Sequence, residues 1–205
     1  LWAHKSAKTT REEISAAEDY KRAGIFSEFG KIVCISAGVI KTVDGERTLR
    51  VKSFYGHDEY ELLQEFAGAL NSFTSNPVTN ICGHNVKEFD FPYIARRMII
   101  NSLPLPSVLD VAGKKTWEVS FIDTLDLWKF GDFKHYTSLS LLTHILGIPT
   151  PKDDIDGSQV ASVYYDENDP ARIARYCEKD VLATTQLFLR LKGEPLLDPD
   201  KVVSV

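Results

Sequence analysis

Apolar residues recur along the chain with two alternating periods. A nearly continuous apolar run, KIVCISAGVI (31–40), leads through the turn sequence TVDG into RTLRVKSFY (47–55), which predicts a β-hairpin. Two further strands are predicted over 78–85 and 121–128. Helices are predicted at about 58–74, 88–102, 138–146, 158–165 and 170–193. This alternation of strands and helices predicts a layered α/β fold.

Polar residues and glycine mark the ends of several predicted helices. Asp58 followed by Glu61 forms a capping box before the first helix. Gly147 ends the helix that begins near 138, and Asp169 followed by Pro170 starts the last one. These signals support the helix boundaries given above.

The chain is organised as one domain with two short flanking segments. Its 205 residues are 43% hydrophobic and 26% charged, which is typical of a globular protein with a single core. Residues 1–24 predict a helical or flexible arm, 25–193 the folded domain and 194–205 a C-terminal tail. Because no apolar run is long enough for a membrane span or a signal peptide, we expect a cytoplasmic protein with no membrane partner.

The charge balance and the cysteine content limit the kinds of binding site that the sequence predicts. The 24 Lys+Arg against 29 Asp+Glu give a formal charge of -5, so no long-range positive field attracts a polyanion. This charge balance does not exclude a local site whose positive charge comes from bound metal ions. The cysteines, Cys34, Cys82 and Cys177, contain no CxxC pair, and we expect all three to be reduced core thiols.

The apolar stripe of the last helix contains a carboxylate. One face collects seven residues at three- and four-residue steps: Ile173, Tyr176, Cys177, Asp180, Thr184, Leu187 and Leu191. An unpaired carboxylate there costs several kcal/mol unless Asp180 finds a cation, a donor or a metal. Tyr176 lies one turn before it, so the phenol and the carboxylate project side by side. Alternatively, Asp180 lies at the edge of the stripe and pairs with an arginine.

A second carboxylate, Asp90, follows the strand predicted over 78–85 and begins a helix. Open α/β sheets usually bind their ligands at the carboxyl ends of their strands, and Asp90 lies at such an end. Considered alone, the residue is more simply a helix-capping aspartate.

Five residues form two short motifs. Asn85, Phe89 and Asp90 give NxxxFD, and Tyr176 and Asp180 give YxxxD. These resemble the second and third motifs of the DEDD exonuclease superfamily, in its tyrosine-bearing subgroup. The chain resembles in particular the proofreading-like exonuclease family related to family-B DNA polymerases, which has stretches similar to FIDTLDLWKFGDFK, SLSLLTHILGIP, IDGSQV and YCEKDV. The resemblance covers about residues 25–192.

The resemblance implies a ribonuclease H-like mixed sheet with helices on both faces, and 3′–5′ exonuclease activity with two divalent metals. It implies that Asp90 and Asp180 hold metal and that Tyr176 orients the attacking water. Asn85 and Phe89 would position the motif and the terminal nucleotide. Aspartate oxygens suit Mg²⁺ or Mn²⁺, and two such ions about 3.5–4 Å apart can activate a water and stabilise the leaving 3′ oxygen.

The first motif of that family, DxE, is not found at its expected place. It would supply two more carboxylates from the end of the first, central strand. The only D-G-E sequence is Asp44-Gly45-Glu46, but a glycine between two strands marks a hairpin turn, which does not suit a rigid metal site. We therefore expect the first central strand to be missing from this chain, which leaves the metal site about half complete.

The loop from 128 to 136 is a candidate substrate-binding segment. It interleaves aromatic residues with basic ones, namely Trp128, Phe130, Phe133 and Tyr136 with Lys129, Lys134 and His135. That composition suits stacking of single-strand bases and contact with phosphates, and we assign substrate binding to Lys129 and Lys134. Alternatively, the aromatic residues attach the loop to the core.

Four other polar residues have simpler interpretations. Asp123 is either a partner of the metal ligands or a solvated strand residue, and the second is favoured. Arg96 and Arg97 are expected in salt bridges rather than on phosphates. His84 is expected to be structural, because no second His or Cys lies at ligand spacing.

The function expected is trimming of single-stranded or frayed DNA from its 3′ end with Mg²⁺ or Mn²⁺. Two alternatives remain: a catalytically inactive nucleic-acid-binding module of the same fold, and an exonuclease that trims RNA. The sequence lacks GxSxG, and it lacks GxGxxG after any predicted strand. We therefore exclude a serine hydrolase and a dinucleotide-binding protein.

Overall fold

The computed structural model describes residues 22–75, 80–132, 134–149 and 155–205, together with Trp2, Lys5 and Tyr20. The strands are β1 (Cys34–Val43), β2 (Glu46–Tyr55), β3 (Cys82–Gly83), β4 (Ile122–Asp123) and β5 (Val202–Ser204). The α-helices are α1 (Glu59–Thr74), α2 (Asp90–Ile100), α3 (Thr124–Lys129), α4 (Leu139–Ile145), α5 (Val160–Tyr165) and α6 (Pro170–Leu191). Short 3-10 helices cover Arg22–Ile25, Thr116–Glu118 and Pro199–Lys201. In these parts of the chain, no helix is both long and apolar enough to span a bilayer.

The predicted hairpin is confirmed. β1 and β2 pair antiparallel from Cys34 opposite Tyr55 to Val43 opposite Glu46. Asp44 and Gly45 form the turn between them, with φ of 52° and 81°. Two successive positive φ values match the twist of a two-residue hairpin turn, which explains the Asp-Gly pair. Asp44-Gly45-Glu46 is therefore a turn, as the sequence predicts.

Helices cover both faces of the hairpin. Strand alternation directs Phe54 to one face, where it packs with Leu63 and Phe66 of α1. Leu49 and Val51 of β2 point to the opposite face and pack with residues of α6 and of the chain beyond it. An α/β architecture with helices on both faces of this sheet is thus confirmed.

The segment predicted as a C-terminal tail, 194–205, contributes a strand. β5 pairs parallel with the outer edge of β2, with Leu49 opposite Val202. The buried Gln186 of α6 binds both the N–H and the C=O of Leu197, each at 2.8 Å. These bonds tie the segment to the domain, because a buried backbone amide without a partner costs about 1–3 kcal/mol.

The two remaining strands are shorter than predicted. β3 covers two residues of the predicted 78–85, of which 78 and 79 lie outside the described residues. The strand prediction for 124–128 is wrong, because the chain turns into helix α3 directly after Asp123. β3 and β4 pair parallel as a separate two-stranded sheet. Within the described chain, the hairpin and this pair thus do not form one continuous sheet.

The helix predictions hold apart from their ends, and a buried ion pair joins the first two helices. Glu59 of α1 accepts from Nε of Arg97 at 2.9 Å and also from its Nη2. The same carboxylate accepts from the N–H of Ile32 and the side chain of Asn101. The salt-bridge prediction is therefore confirmed for Arg97.

Of the predicted arm, 1–24, the structure describes Trp2, Lys5, Tyr20 and residues 22–24. The Trp2 ring lies 5.6 Å from that of Phe26 and 5.4 Å from that of Phe29. Lys5 Nζ stands 4.0 Å from the centre of the Phe26 ring. The rest of the arm lies outside the described residues.

Candidate active site

Two parallel strands end at the same edge of their sheet, and polar residues lie at and after their ends. Gly83, the last residue of β3, lies opposite Asp123, the last residue of β4. The chain leaves β3 through His84 and Asn85 and enters α2 at Asp90. Ligands of α/β sheets usually bind at such carboxyl ends.

Asp123 is buried at this edge, with 3% of its surface exposed. Its Oδ1 accepts from the N–H of Asn85 at 2.8 Å and from the N–H of Leu125 at 2.9 Å. Its Oδ2 accepts from the N–H of Lys87 at 3.1 Å. The favoured interpretation of Asp123 as a solvated strand residue is therefore wrong, because its carboxylate caps α3 and binds the backbone that leads to Asp90.

The segment between β3 and α2 has an unusual backbone. Asn85 adopts a φ of 58°, a left-handed conformation that asparagine tolerates better than most residues. Phe89 occupies the N-cap position of α2 without a side-chain capping bond, and 45% of its surface is exposed. Asp90 is the first residue inside the helix, so the interpretation of Asp90 as an N-cap aspartate is wrong.

The carboxylate of Asp90 lies in an acidic environment. Although Asp90 is exposed as a whole residue, desolvation by the surrounding protein raises the pKa of its carboxyl to about 6. A hydrogen bond from its own backbone N–H opposes this rise, whereas the negative charges of Asp123 and Asp180 add to it. The charges of Asp123 and Asp180 therefore both reach the Asp90 carboxyl.

The Cys177 thiol is also affected by the charges of both Asp90 and Asp180. Its pKa is raised by a hydrogen bond with the Cys34 thiol, by burial, and by the negative charges of Asp180 and Asp90. Cys177 follows Tyr176 on α6 and precedes Asp180 by three residues. The charges of Asp90 and Asp180, one from each motif, therefore both reach the Cys177 thiol on this helix.

The predicted apolar face of α6 is broader than its seven residues. Ile173 and Leu187 are buried, but Ala174, Ala183, Gln186 and Leu189 are buried as well. Tyr176 and Asp180 are half-buried. A Cβ placed on Gly157 would lie 3.9 Å from the Tyr176 hydroxyl, so the IDGSQV loop passes beside that phenol.

The loop from 128 to 136 is divided between the core and solvent. Trp128 packs against an apolar cluster with Leu142 and Leu187, as the packing interpretation requires. Phe130 and Tyr136 are 88% and 67% exposed, so that interpretation is wrong for them. Phe133 lies outside the described residues.

The two candidate lysines of this loop differ in environment. The Lys129 side chain is 15% exposed, and its Nζ lies 3.9 Å from the Asp126 carboxylate. Lys134 is exposed, and its backbone N–H binds Asp132. Lys134 therefore presents its charge to solvent more openly than Lys129 does.

His84 is structural, as predicted. Its Nε2 donates to the Thr137 carbonyl at 3.0 Å, and its Nδ1 lies 2.9 Å from the Thr124 hydroxyl. Desolvation lowers the pKa of the imidazole, which favours the neutral ring. Cys34 and Cys177 are half-buried free thiols, whereas Cys82 is exposed, so its prediction as a core thiol is wrong.

The sequence contains a signal for the capping role of Asp123. Asp123 is followed three residues later by Asp126, and an acidic residue at each of these positions is typical of a helix start. The pattern indicates that the strand ends at Asp123 and that its side chain turns back to backbone N–H groups. Among the residues that the structure describes, no group of three or more His, Cys, Asp or Glu side chains is placed to hold a metal ion.

A family model matches residues 25–195, which is well over half of the chain. That family is described as a predicted 3′–5′ exonuclease related to the exonuclease domain of PolB. A search of curated proteins found no match. The extent of the family match establishes that the chain belongs to this family of predicted 3′–5′ exonucleases related to the PolB exonuclease domain.

Proposed function

We propose that this protein is a metal-dependent 3′–5′ exonuclease that trims single-stranded or frayed DNA. The observation that carries the proposal is the charge coupling of Asp90 and Asp180, which lie in separate motifs far apart in sequence. Membership of an exonuclease family supports a nucleic-acid substrate. The coupling supports a single acidic site made by the two motifs.

The donor set fits a hard divalent cation. The pKa of the Asp90 carboxyl is raised in part by the charges of Asp123 and Asp180, and a cation beside these groups would stabilise its ionised form. Mg²⁺ is usually held by one or two protein carboxylates, with water and substrate phosphates as further ligands. Asp90 and Asp180 are therefore sufficient to hold one Mg²⁺ or Mn²⁺, and a second ion needs further carboxylates.

Three further residues are assigned roles in this reaction. A bound divalent cation supplies positive charge to the scissile phosphate and the leaving oxygen. Tyr176, one helical turn from Asp180, orients the attacking water through its hydroxyl. Asn85 and Phe89 position the chain entering α2 and the terminal nucleotide, and the exposed ring of Phe89 is suited to base stacking.

We further propose that a strand carrying two more carboxylates completes a ribonuclease H-like sheet between β1 and β3. The edge of β1 opposite β2 has no strand partner in the described ranges, and β3 and β4 form a separate pair. Ile35 of β1 and Ile81 beside β3 contribute to the same apolar cluster, which supports a position for the missing strand between them. Backbone groups along that edge that have no strand partner in the described ranges favour pairing with such a strand.

Lys134 is proposed to contact a substrate phosphate. Lys134→Ala is expected to raise KM about 3- to 10-fold at low salt with kcat unchanged, and to reduce the slope of log affinity against log salt by roughly 0.7. Steady-state kinetics at several salt concentrations measure both quantities. Lys114→Ala, at an exposed lysine outside this loop, serves as the control and is expected to behave as wild type. An unchanged KM for Lys134→Ala would remove the residue from the substrate site.

The proposed function is tested with 5′-labelled single-stranded DNA. The chain, and a version extended at its N-terminus, are incubated in Mg²⁺, in Mn²⁺ and in chelator, and products are resolved at single-nucleotide resolution. We expect a ladder shortened from the 3′ end by the extended form, dependent on the cation. No trimming by either form would contradict the exonuclease proposal and favour a binding module. Equal trimming by both forms would contradict the additional strand alone.

An RNA of the same sequence, tested in parallel, decides between the substrate classes. We expect faster trimming of DNA. Faster trimming of RNA would correct the substrate while retaining the mechanism.

A further inference from the structure

The carboxylate of Asp123 fixes the backbone on both sides of the site. One oxygen binds the N–H of Asn85 and the N–H of Leu125, and the other binds the N–H of Lys87. Two of these donors lie in the segment that leads into α2, and the third lies in the first turn of α3. With 3% of its surface exposed, Asp123 holds these amides away from competing water.

The segment held in this way determines where Asp90 lies. Asn85 has a left-handed backbone, and its carbonyl accepts from the N–H of Phe89 at 3.1 Å. The N–H of Phe91 binds the carbonyl of Val86 at 3.0 Å, so the first turn of α2 is continuous with the bound segment. A shift of residues 85–87 would therefore move Asp90 directly.

We propose that Asp123 is a positioning residue of the cation site, which holds residues 85–87 so that the carboxylate of Asp90 is directed towards Asp180. The inference rests on the proposed function, because the cation is the ligand that Asp90 would hold. Asp123 does not bind the cation in this account. Its two oxygens are already engaged by three backbone donors.

The test measures Mn²⁺ affinity by calorimetry, in the absence of DNA, for two variants. Asp123→Asn keeps the size but leaves at least one of the three N–H groups facing an amide N–H. Asp123→Glu keeps the charge but moves both oxygens by one methylene. We expect each variant to bind Mn²⁺ at least 10-fold more weakly, which is the usual loss when a partner of a metal ligand is removed.

Asp126→Asn is the matched control. Asp126 lies on α3 three residues after Asp123, and its exposed carboxylate pairs with Lys87 and Lys129. This variant removes the same charge and the side-chain pair with Lys87 but leaves the three N–H bonds to Asp123 in place, and we expect unchanged Mn²⁺ affinity. All measurements are made below the melting temperature of each variant, as monitored by circular dichroism.

The outcomes distinguish a positioning role of Asp123 from an effect of its charge. They also distinguish failure of this proposal from failure of the proposed function. Weaker binding by Asp123→Asn but normal binding by Asp123→Glu would assign the effect to charge and overturn the proposal. Normal binding by both variants, with DNA trimming intact in wild type, would overturn it and leave the exonuclease proposal standing. Weaker binding by both, in a protein that does not trim DNA, would support positioning and contradict the exonuclease. No Mn²⁺ binding by wild type would contradict both.

Amide hydrogen exchange in wild type keeps the proposal testable where the variants do not fold. The N–H groups of Asn85 and Lys87 are expected to exchange slowly, because each is held by the buried carboxylate. Exchange at the rate of an open loop would overturn the proposal.

Discussion

Replacing Asp180 by asparagine is expected to lower kcat/KM for 3′ trimming by roughly 100-fold or more in Mg²⁺. A neutral amide does not balance a divalent cation, and each 1.36 kcal/mol of lost transition-state stabilisation lowers the rate tenfold. Asparagine keeps the size of the aspartate side chain and removes a charge that disfavours the ionised form of Asp90. Thermal melting without cation checks that the variant is folded.

Glu178→Gln provides the control on the same helix. Glu178 lies two residues before Asp180, but its carboxylate accepts from Ser53 at 2.8 Å and from Ser204 at 2.9 Å. We expect trimming by this variant to stay close to wild type. An equal loss at both positions, or no loss at Asp180, would contradict the assignment of Asp180 to the cation.

Replacing Arg97 by methionine is expected to lower the free energy of unfolding by about 3–5 kcal/mol, because it leaves a buried carboxylate without its cation. The side chains of Glu59 and Arg97 are 8% and 12% exposed. Arg97 also donates to the Ser27 carbonyl, so the substitution disconnects α2 from the segment before β1. Urea unfolding at pH 7 measures the loss.

Two comparisons isolate the ion pair. Arg96→Met, at the exposed neighbour on the same helix, is expected to change stability by less than about 0.5 kcal/mol. Adding Glu59→Gln to Arg97→Met is expected to recover part of the loss, because the amide oxygen still accepts from the N–H of Ile32. A loss below about 1 kcal/mol for Arg97→Met would contradict the buried-pair account.

The pH dependence of stability follows from the same carboxylate. Burial alone would raise the pKa of Glu59, but hydrogen bonds from Arg97, from the N–H of Ile32 and from Asn101 hold it below its ordinary value of 4.5. The ionised form is thus favoured in the folded state, and its contribution is present above pH about 4.5. Wild type is expected to lose this contribution as the pH falls through the lowered pKa.

Local sequence signals predicted the elements whose cause is local. The hairpin follows from an apolar run, an Asp-Gly turn and a second run, and its pairing extends without interruption to Val43 opposite Glu46. Helix α1 begins after Asp58, whose side chain accepts from the N–H of Glu61. Helix α6 begins after Asp169 and ends before Gly193, as its capping signals indicate.

Features that depend on distant contacts were not predictable in this way. The run FIDTLDLW fits both a strand and a helix, and the outcome is decided by the buried Asp123 and its three backbone donors. The pairing of β5 with β2 joins segments far apart in sequence through a short, mostly exposed strand. The apolar period of the last helix did place Tyr176 beside Asp180, but only the fold brings Asp90 close enough for charge coupling.

A double-mutant comparison of trimming rates shows whether Asp90 and Asp180 hold the same cation. The rates of wild type, Asp90→Asn, Asp180→Asn and the double variant are measured in the N-terminally extended form, on one 5′-labelled DNA in Mg²⁺. Two ligands of one ion act as a unit, so the double variant is expected to be scarcely slower than either single variant. Losses that multiply in the double variant would contradict a shared site.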